Sequence, residues 1–231
     1  MSLNIHLKLM SDATFGRGDG VAGLVDTEVV HDEYGLPYLH GRTLKGLLVE
    51  ECANILYGLQ QSDAAAPLQR FNNAAQLLFG AAGSTLDADA RMQVGAAMLP
   101  PDLREAVILD VKANRLSPDE VLESLTAIRR QTAVSEETDA PMKNSLRALR
   151  VILCGTPFIA RLDFDSSVNT DMKALLAACV ASLRRAGTGR NRGRGRITAQ
   201  LCDDKSADLT ALHLQDFATA IKETAQQEVQ G

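Results

Sequence analysis

Tryptophan is absent from this 231-residue chain, and aromatic residues make up only 4% of it. So few rings count against recognition that relies on open stacking platforms. The four cysteines (Cys52, Cys154, Cys179 and Cys202) are scattered, with no C-x-x-C and no histidine at ligand spacing. That pattern points to reduced, buried thiols rather than disulfides or structural zinc. No apolar run approaches membrane-spanning length, and the start of the chain lacks a basic stretch followed by an apolar one. The expectation is a soluble, cytoplasmic protein that does not engage a membrane. Positive charge is also short: 24 Lys and Arg against 29 Asp and Glu give a net charge of −5. Without a global positive field, any anion must be held by a local basic surface.

One segment supplies such a surface. Gly187 to Arg196 reads GTGRNRGRGR, with glycines at 187, 189, 193 and 195 and arginines at 190, 192, 194 and 196. Glycine lets the backbone reach positive φ and turn its amides toward an anion, and arginine adds planar, permanently charged forks. The segment lies between a helical pattern and an alternating strand, not at a terminus, so it is expected to be a folded phosphate-contacting loop.

Leu3, Ile5, Leu7 and Leu9 alternate with polar positions, a half-buried strand. A glycine-rich stretch from Phe15 to Gly23 precedes an expected hairpin, with arms Leu24–His31 and Leu36–Leu39 and a turn at Asp32–Gly35. Beyond it, Leu44, Leu47, Leu48, Cys52, Ile55, Leu56 and Leu59 mark an amphipathic helix with Thr43 as its expected N-cap. Gln60–Pro67 reads as a linker, Leu68–Phe79 as a helix and Arg91–Leu99 as a strand. Pro100-Pro101 opens a helix, and Ser117, Pro118 and Glu120 spell a capping box for another. Thr132–Lys143 reads as an exposed excursion, Phe158–Phe164 as a strand, Asp171–Ala186 as a helix stopped by Gly187, and Ile197–Cys202 as a last strand. A helical tail closes the chain. The order is close to βαββαβ: an α+β, ferredoxin-like or RRM-like core with helical insertions.

Several motifs carry no function. Gly18, Gly20 and Gly23 match G-x-G-x-x-G, but a strand-like segment follows where a dinucleotide site needs a helix. Arg17-Gly-Asp19 spells an adhesion tripeptide by chance. His40-Gly41-Arg42-Thr43-Leu-Lys45 instead sets basic groups and a hydroxyl at a helix N-terminus, where free amides favour an anion. Asp26 stands alone beside a strand-like segment. His31 and His40 are the other titratable groups near it in sequence, and no nucleophile triad assembles.

Together, four blocks resemble the RAMP superfamily, in particular the guide-RNA-binding backbone subunit of type III CRISPR effectors. They are Phe15–Asp19 with Gly23–Asp26, Gly35–Gly46, Leu78–Gly80 and Gly187–Gly195. The resemblance implies one modified RRM domain over 1–231, with insertions (lid and thumb) at about 60–90 and 100–150 and a helical tail from 205. It implies that Arg17, His40, Arg42, Thr43, Lys45, Gly187, Gly189, Arg190, Arg192, Arg194 and Arg196 hold guide RNA. A thumb around Thr132, Val134 and Met142 would flip bases. Asp26 would cut target single-stranded RNA, alone or by holding a divalent cation such as Mg²⁺. Implied partners are copies of the same chain in a helical filament and other type III subunits. A non-cleaving scaffold, a guide-maturing endoribonuclease using His31 or His40, and a stand-alone RRM-like protein are the alternatives.

Overall fold

The computed structural model describes residues 2–62, 65–80, 90–132 and 145–230. In chain order these form β1 (Ser2–Leu9), α1 (Gly41–Gln61), α2 (Ala65–Phe79), β2 (Met92–Val94), α3 (Pro101–Lys112), α4 (Pro118–Leu125), β3 (Thr126–Gln131), β4 (Arg147–Ile152), β5 (Pro157–Phe164), α5 (Thr170–Ser182), β6 (Ile197–Cys202) and α6 (Thr210–Gln230). One sheet has the order β2-β5-β1-β6, with every neighbouring pair antiparallel. With α1 and α2 after β1 and α5 after β5, this is the expected βαββαβ plan. Between β2 and β5 the chain inserts α3, α4 and a separate two-stranded hairpin of β3 and β4.

Alternation in β1 works as read: Leu3, Ile5, Leu7 and Leu9 are buried while the residues between them are not. Across the sheet Ile5 sits opposite Ala160 of β5 and Leu201 of β6, both buried. Helix α1 turns Leu44, Leu47, Leu48, Cys52 and Leu59 onto this core. Helix α5 is apolar all round, with an unbroken buried run from Ala174 to Val180, as a helix enclosed by other elements must be. The capping box of α4 is complete: Glu120 N–H donates to Ser117 Oγ at 3.2 Å, and Ser117 N–H donates to Glu120 Oε2 at 2.8 Å.

Some expectations need correction. Thr43 does not cap α1. The cap position is His40, no side chain closes it, and Thr43 is exposed in the first turn with its N–H on the His40 carbonyl. The linker at Gln60–Pro67 is mostly helix, because α1 runs to Gln61 and α2 starts at Ala65. Helix α5 starts on an Asn169 side-chain cap and ends at Ser182, so Gly187 is not its stop. The Asp32 turn forms, its Oδ1 accepting from Tyr34 and Leu36 N–H. The expected arms pair only beside the turn, through the His31–Pro37 bridge and Tyr38 N–H on the Val30 carbonyl, and form no continuous strands, because farther out the first arm bonds to β4 at Asp26 and Thr27. The β3–β4 hairpin itself was not anticipated. No described helix is long and apolar enough to cross a membrane.

Candidate nucleic-acid interface

The Arg/Gly segment is a folded loop, pinned from several sides. Thr188 N–H donates to the Thr14 carbonyl at 2.9 Å, Gly195 N–H to the Asp12 carbonyl at 2.9 Å, and Arg196 N–H to Ser11 Oγ at 3.0 Å. Arg190–Arg192 forms one 3₁₀ turn, and the Arg185 guanidinium donates to the Arg190 carbonyl. Two glycines are sterically required. At Gly187 (φ +89) a Cβ would lie 2.6 Å from the Thr14 carbonyl oxygen, and at Gly195 (φ +67) it would overlap that of Ala186.

Around this loop the surface is hollowed into adjoining clefts that share lining residues. The largest, about 910 Å³, is lined by Arg184, Arg185, Arg190 and Arg192 together with Glu50 and Glu51 of α1. Within it Arg190 Nη1 pairs with Glu50 Oε2 at 3.1 Å. Among the described residues Arg192, Arg194 and Arg196 have no carboxylate partner, which leaves three permanent charges for an external anion.

A second cleft, about 220 Å³, continues past Thr188, Gly189, Arg192 and Arg194 and reaches Asp26, Gln131 and Arg147. Asp26 is the one carboxylate among its lining residues. Its place is fixed by β4: Asp26 N–H donates to the Ala148 carbonyl at 2.7 Å, and Ala148 N–H donates back to Asp26 Oδ2 at 2.7 Å. Asp26 is exposed where it lines the cleft. Next along, Arg150 N–H donates to the Thr27 carbonyl. Beneath them Glu28 and Arg150, with side chains 3% and 9% exposed, form an ion pair at 2.8 Å.

Sequence reasoning missed Arg147, Glu28 and Arg150. Arg147 joins Asp26 through the bonds of the Asp26 segment to its neighbour Ala148 in β4, and stands opposite Gln131 of β3. Of the expected contacts, the structure brings Asp26, Gly189, Arg192 and Arg194 to one cleft, and His40, Thr43, Gly187 and Arg190 to a neighbouring hollow. Arg42, Lys45 and Arg196 line none of these clefts, though Arg42 and Arg196 are exposed. Arg17 is engaged by Asp19 at 2.6 Å, and that hydrogen bond holds its guanidinium above, and the Asp19 carboxyl below, their ordinary values. Neither His31 nor His40 lines the Asp26 cleft. Thr132 is exposed just past β3, beside Arg147 and Arg192, whereas Val134 and Met142 lie outside the described residues.

No group of three or more His, Cys, Asp or Glu side chains that could hold a metal occurs among the described residues. A divalent cation fits here only in the manner of Mg²⁺ that takes one carboxylate and completes its shell with phosphate oxygens and water.

An antiparallel four-stranded βαββαβ sheet bearing a basic, glycine-built loop defines a ferredoxin-like protein with a basic edge. The sequence model of the RAMP superfamily matches residues 6–198, and the chain belongs to that superfamily. No curated protein sequence matches it. The chain is similar in fold to a chain in the cryo-EM structure of type III-B Cmr-beta bound to cognate target RNA. The TM-score is 0.60 at 12% identity, covering 87% of this chain and 97% of that one. The apo state of type III-B Cmr-beta matches equally, with TM-score 0.60, 12% identity and coverage of 88% and 98%.

Proposed function

We propose that this chain is a guide-RNA-binding backbone subunit of a type III CRISPR ribonucleoprotein in the cytoplasm, and that it cleaves complementary target RNA at Asp26. The observation that carries the reading is the pinned Asp26 carboxylate in one cleft with Arg147, Arg192 and Arg194. Family membership and the fold shared with a target-RNA-bound complex support it. In this reading the Arg/Gly loop and the start of α1 carry the guide backbone, copies of the chain stack as a helical filament, and other type III subunits complete the assembly.

The chemistry asked of the cleft is small. Arginines hold the scissile phosphate and neutralise the charge that grows on it. Fixed by Ala148, the carboxylate presents its other oxygen to the neighbouring 2′-hydroxyl and takes its proton as the 2′-oxygen bonds to phosphorus. The P–O5′ bond breaks and water protonates the leaving oxygen, giving a cyclic phosphate and a 5′-hydroxyl. A bound Mg²⁺, held by Asp26 and phosphate oxygens, would supply further charge neutralisation.

The test is cleavage of target RNA by the guide-loaded complex with and without Mg²⁺, comparing wild type with Asp26→Ala. Regularly spaced products lost in the variant, with assembly intact, support the proposal. An uncut target bound tightly by both proteins leaves a non-cleaving scaffold.

A further inference from the structure

We infer that the hollow between α1 and the Arg/Gly loop receives a single unstacked nucleobase of the bound RNA. This rests on the RNA-binding reading above and deepens it. The hollow measures about 200 Å³ and is walled by Phe15, Val30, Leu39 and Leu47, with His40 and Thr43 at the α1 side. The four wall residues belong to the buried core and each exposes less than a tenth of its surface, so they form the apolar floor of a hollow that opens to solvent. At ~30 Å³ per water it corresponds to about seven waters, against apolar walls that bond few of them. It is also smaller than the ~300 Å³ at which drug-sized sites begin, so it suits one planar ring system.

What surrounds the hollow selects the kind of ring. On one side lie Gly187, Thr188 and Arg190 of the phosphate-contacting loop. On the other is the first turn of α1, whose amides no side chain caps. An anion is favoured on both sides of an apolar slot, which is the spacing of charge and ring in a nucleotide within a chain. The aromatic surfaces are held in place: Phe15 by an edge contact to Phe158 at 5.4 Å, and His40 by an edge contact to Tyr38 at 5.0 Å. The Thr43 hydroxyl can donate or accept, and Thr188 Oγ1, which donates to the Thr14 carbonyl at 3.4 Å, can still accept, so the slot takes a base without fixing its identity.

The experiment compares binding of an eight-nucleotide oligouridylate with that of an abasic ribose-phosphate oligomer of equal length and charge. Both are titrated against wild type and Thr43→Trp, whose exposed position allows the indole to fill the slot without entering the core. Wild type is expected to bind the uridylate ~10-fold more tightly than the abasic oligomer, the scale of one well-stacked base. Thr43→Trp should cut that preference to about twofold or less, by weakening uridylate binding more than abasic binding. Leu47→Phe, which fills the slot from within, should act in the same direction. Equal, salt-sensitive binding of both oligomers by wild type overturns the base slot and leaves the phosphate reading standing. Equal weakening of both oligomers by Thr43→Trp overturns it too. Absence of salt-sensitive binding to either oligomer overturns both readings.

Discussion

Glu28→Gln should be among the most damaging single changes near the site. Its carboxylate accepts from Arg150 Nε at 2.8 Å and from Val29 N–H at 2.9 Å, and Arg150 Nη1 reaches Thr126 Oγ1 at 3.3 Å. Both side chains are out of water. The glutamine keeps an oxygen for Val29 but strands the Arg150 charge, and breaking a buried pair from one side costs about 3–5 kcal/mol. With a urea slope of roughly 3 kcal/mol/M, the midpoint should fall by about 1–1.7 M. Replacing both partners removes the stranded charge, so Glu28→Gln with Arg150→Met should recover most of the loss, whereas Arg150→Met alone should not. Urea titration followed by circular dichroism measures all four proteins. If the single variant loses under 1 kcal/mol, or the double variant is worse than either single, the pair is not the anchor of the Asp26 segment and the argument fails.

Arg192→Ala with Arg194→Ala should weaken RNA binding alike for every sequence. It should also lower the slope of log K against log salt by about 1.4, at ~0.7 per phosphate contact on a single strand; a loss confined to particular sequences would contradict backbone contact. Glu50→Gln should tighten RNA binding by up to about fivefold, because it frees Arg190 from an exposed pair worth ~0–1 kcal/mol. A filter-binding titration without any gain would show that Glu50 does not compete with phosphate. Gly195→Ala puts a Cβ against the Ala186 carbonyl at positive φ, so it should cost about 1–3 kcal/mol and lower the melting temperature by several degrees. A melting curve matching wild type would mean the loop can move aside.

The sheet was legible because its strands are half-buried and alternate cleanly. β1 and β5 announce themselves through Leu3, Ile5, Leu7, Phe158, Ala160 and Leu162, all of them buried. The β3–β4 hairpin carries no such signal. In β3 only Thr126 is buried, and Arg129 and Arg130 are exposed, so its pattern reads as surface. What holds it is pairing across a gap in sequence, Thr126 with Ile152 through Gln131 with Arg147, which no local period reveals. The Ser117 box of α4 formed as read, but two other helix starts failed for a related reason. Thr43 is a good cap by type, but α1 already starts at Gly41 with His40 at the cap position, and α5 starts at Thr170 on an Asn169 cap, ahead of the Asp171 start that the sequence suggested.

The site divides along the same line. Local composition marked the Arg/Gly loop, because four glycines and four arginines in one stretch have few other uses in an acidic chain. Asp26 had only its resemblance to recommend it, since a single exposed carboxylate beside a strand is ordinary. Its physical distinction comes from β4, more than a hundred residues away, which returns a hydrogen bond to the carboxylate and brings Arg147 beside it. That arrangement also explains how a chain of net charge −5 can offer a polyanion a route. Glu50 is drawn onto Arg190, Asp12 onto Arg129, and Glu28 is buried against Arg150, while Arg192 and Arg194 are left beside the Asp26 cleft. Apart from Glu51 and Asp26, the carboxylates named around the loop are paired with arginines, whereas Arg192 and Arg194 have no carboxylate partner among the described residues. The positive path is therefore made by pairing as much as by composition, and it cannot be read from a count of charges.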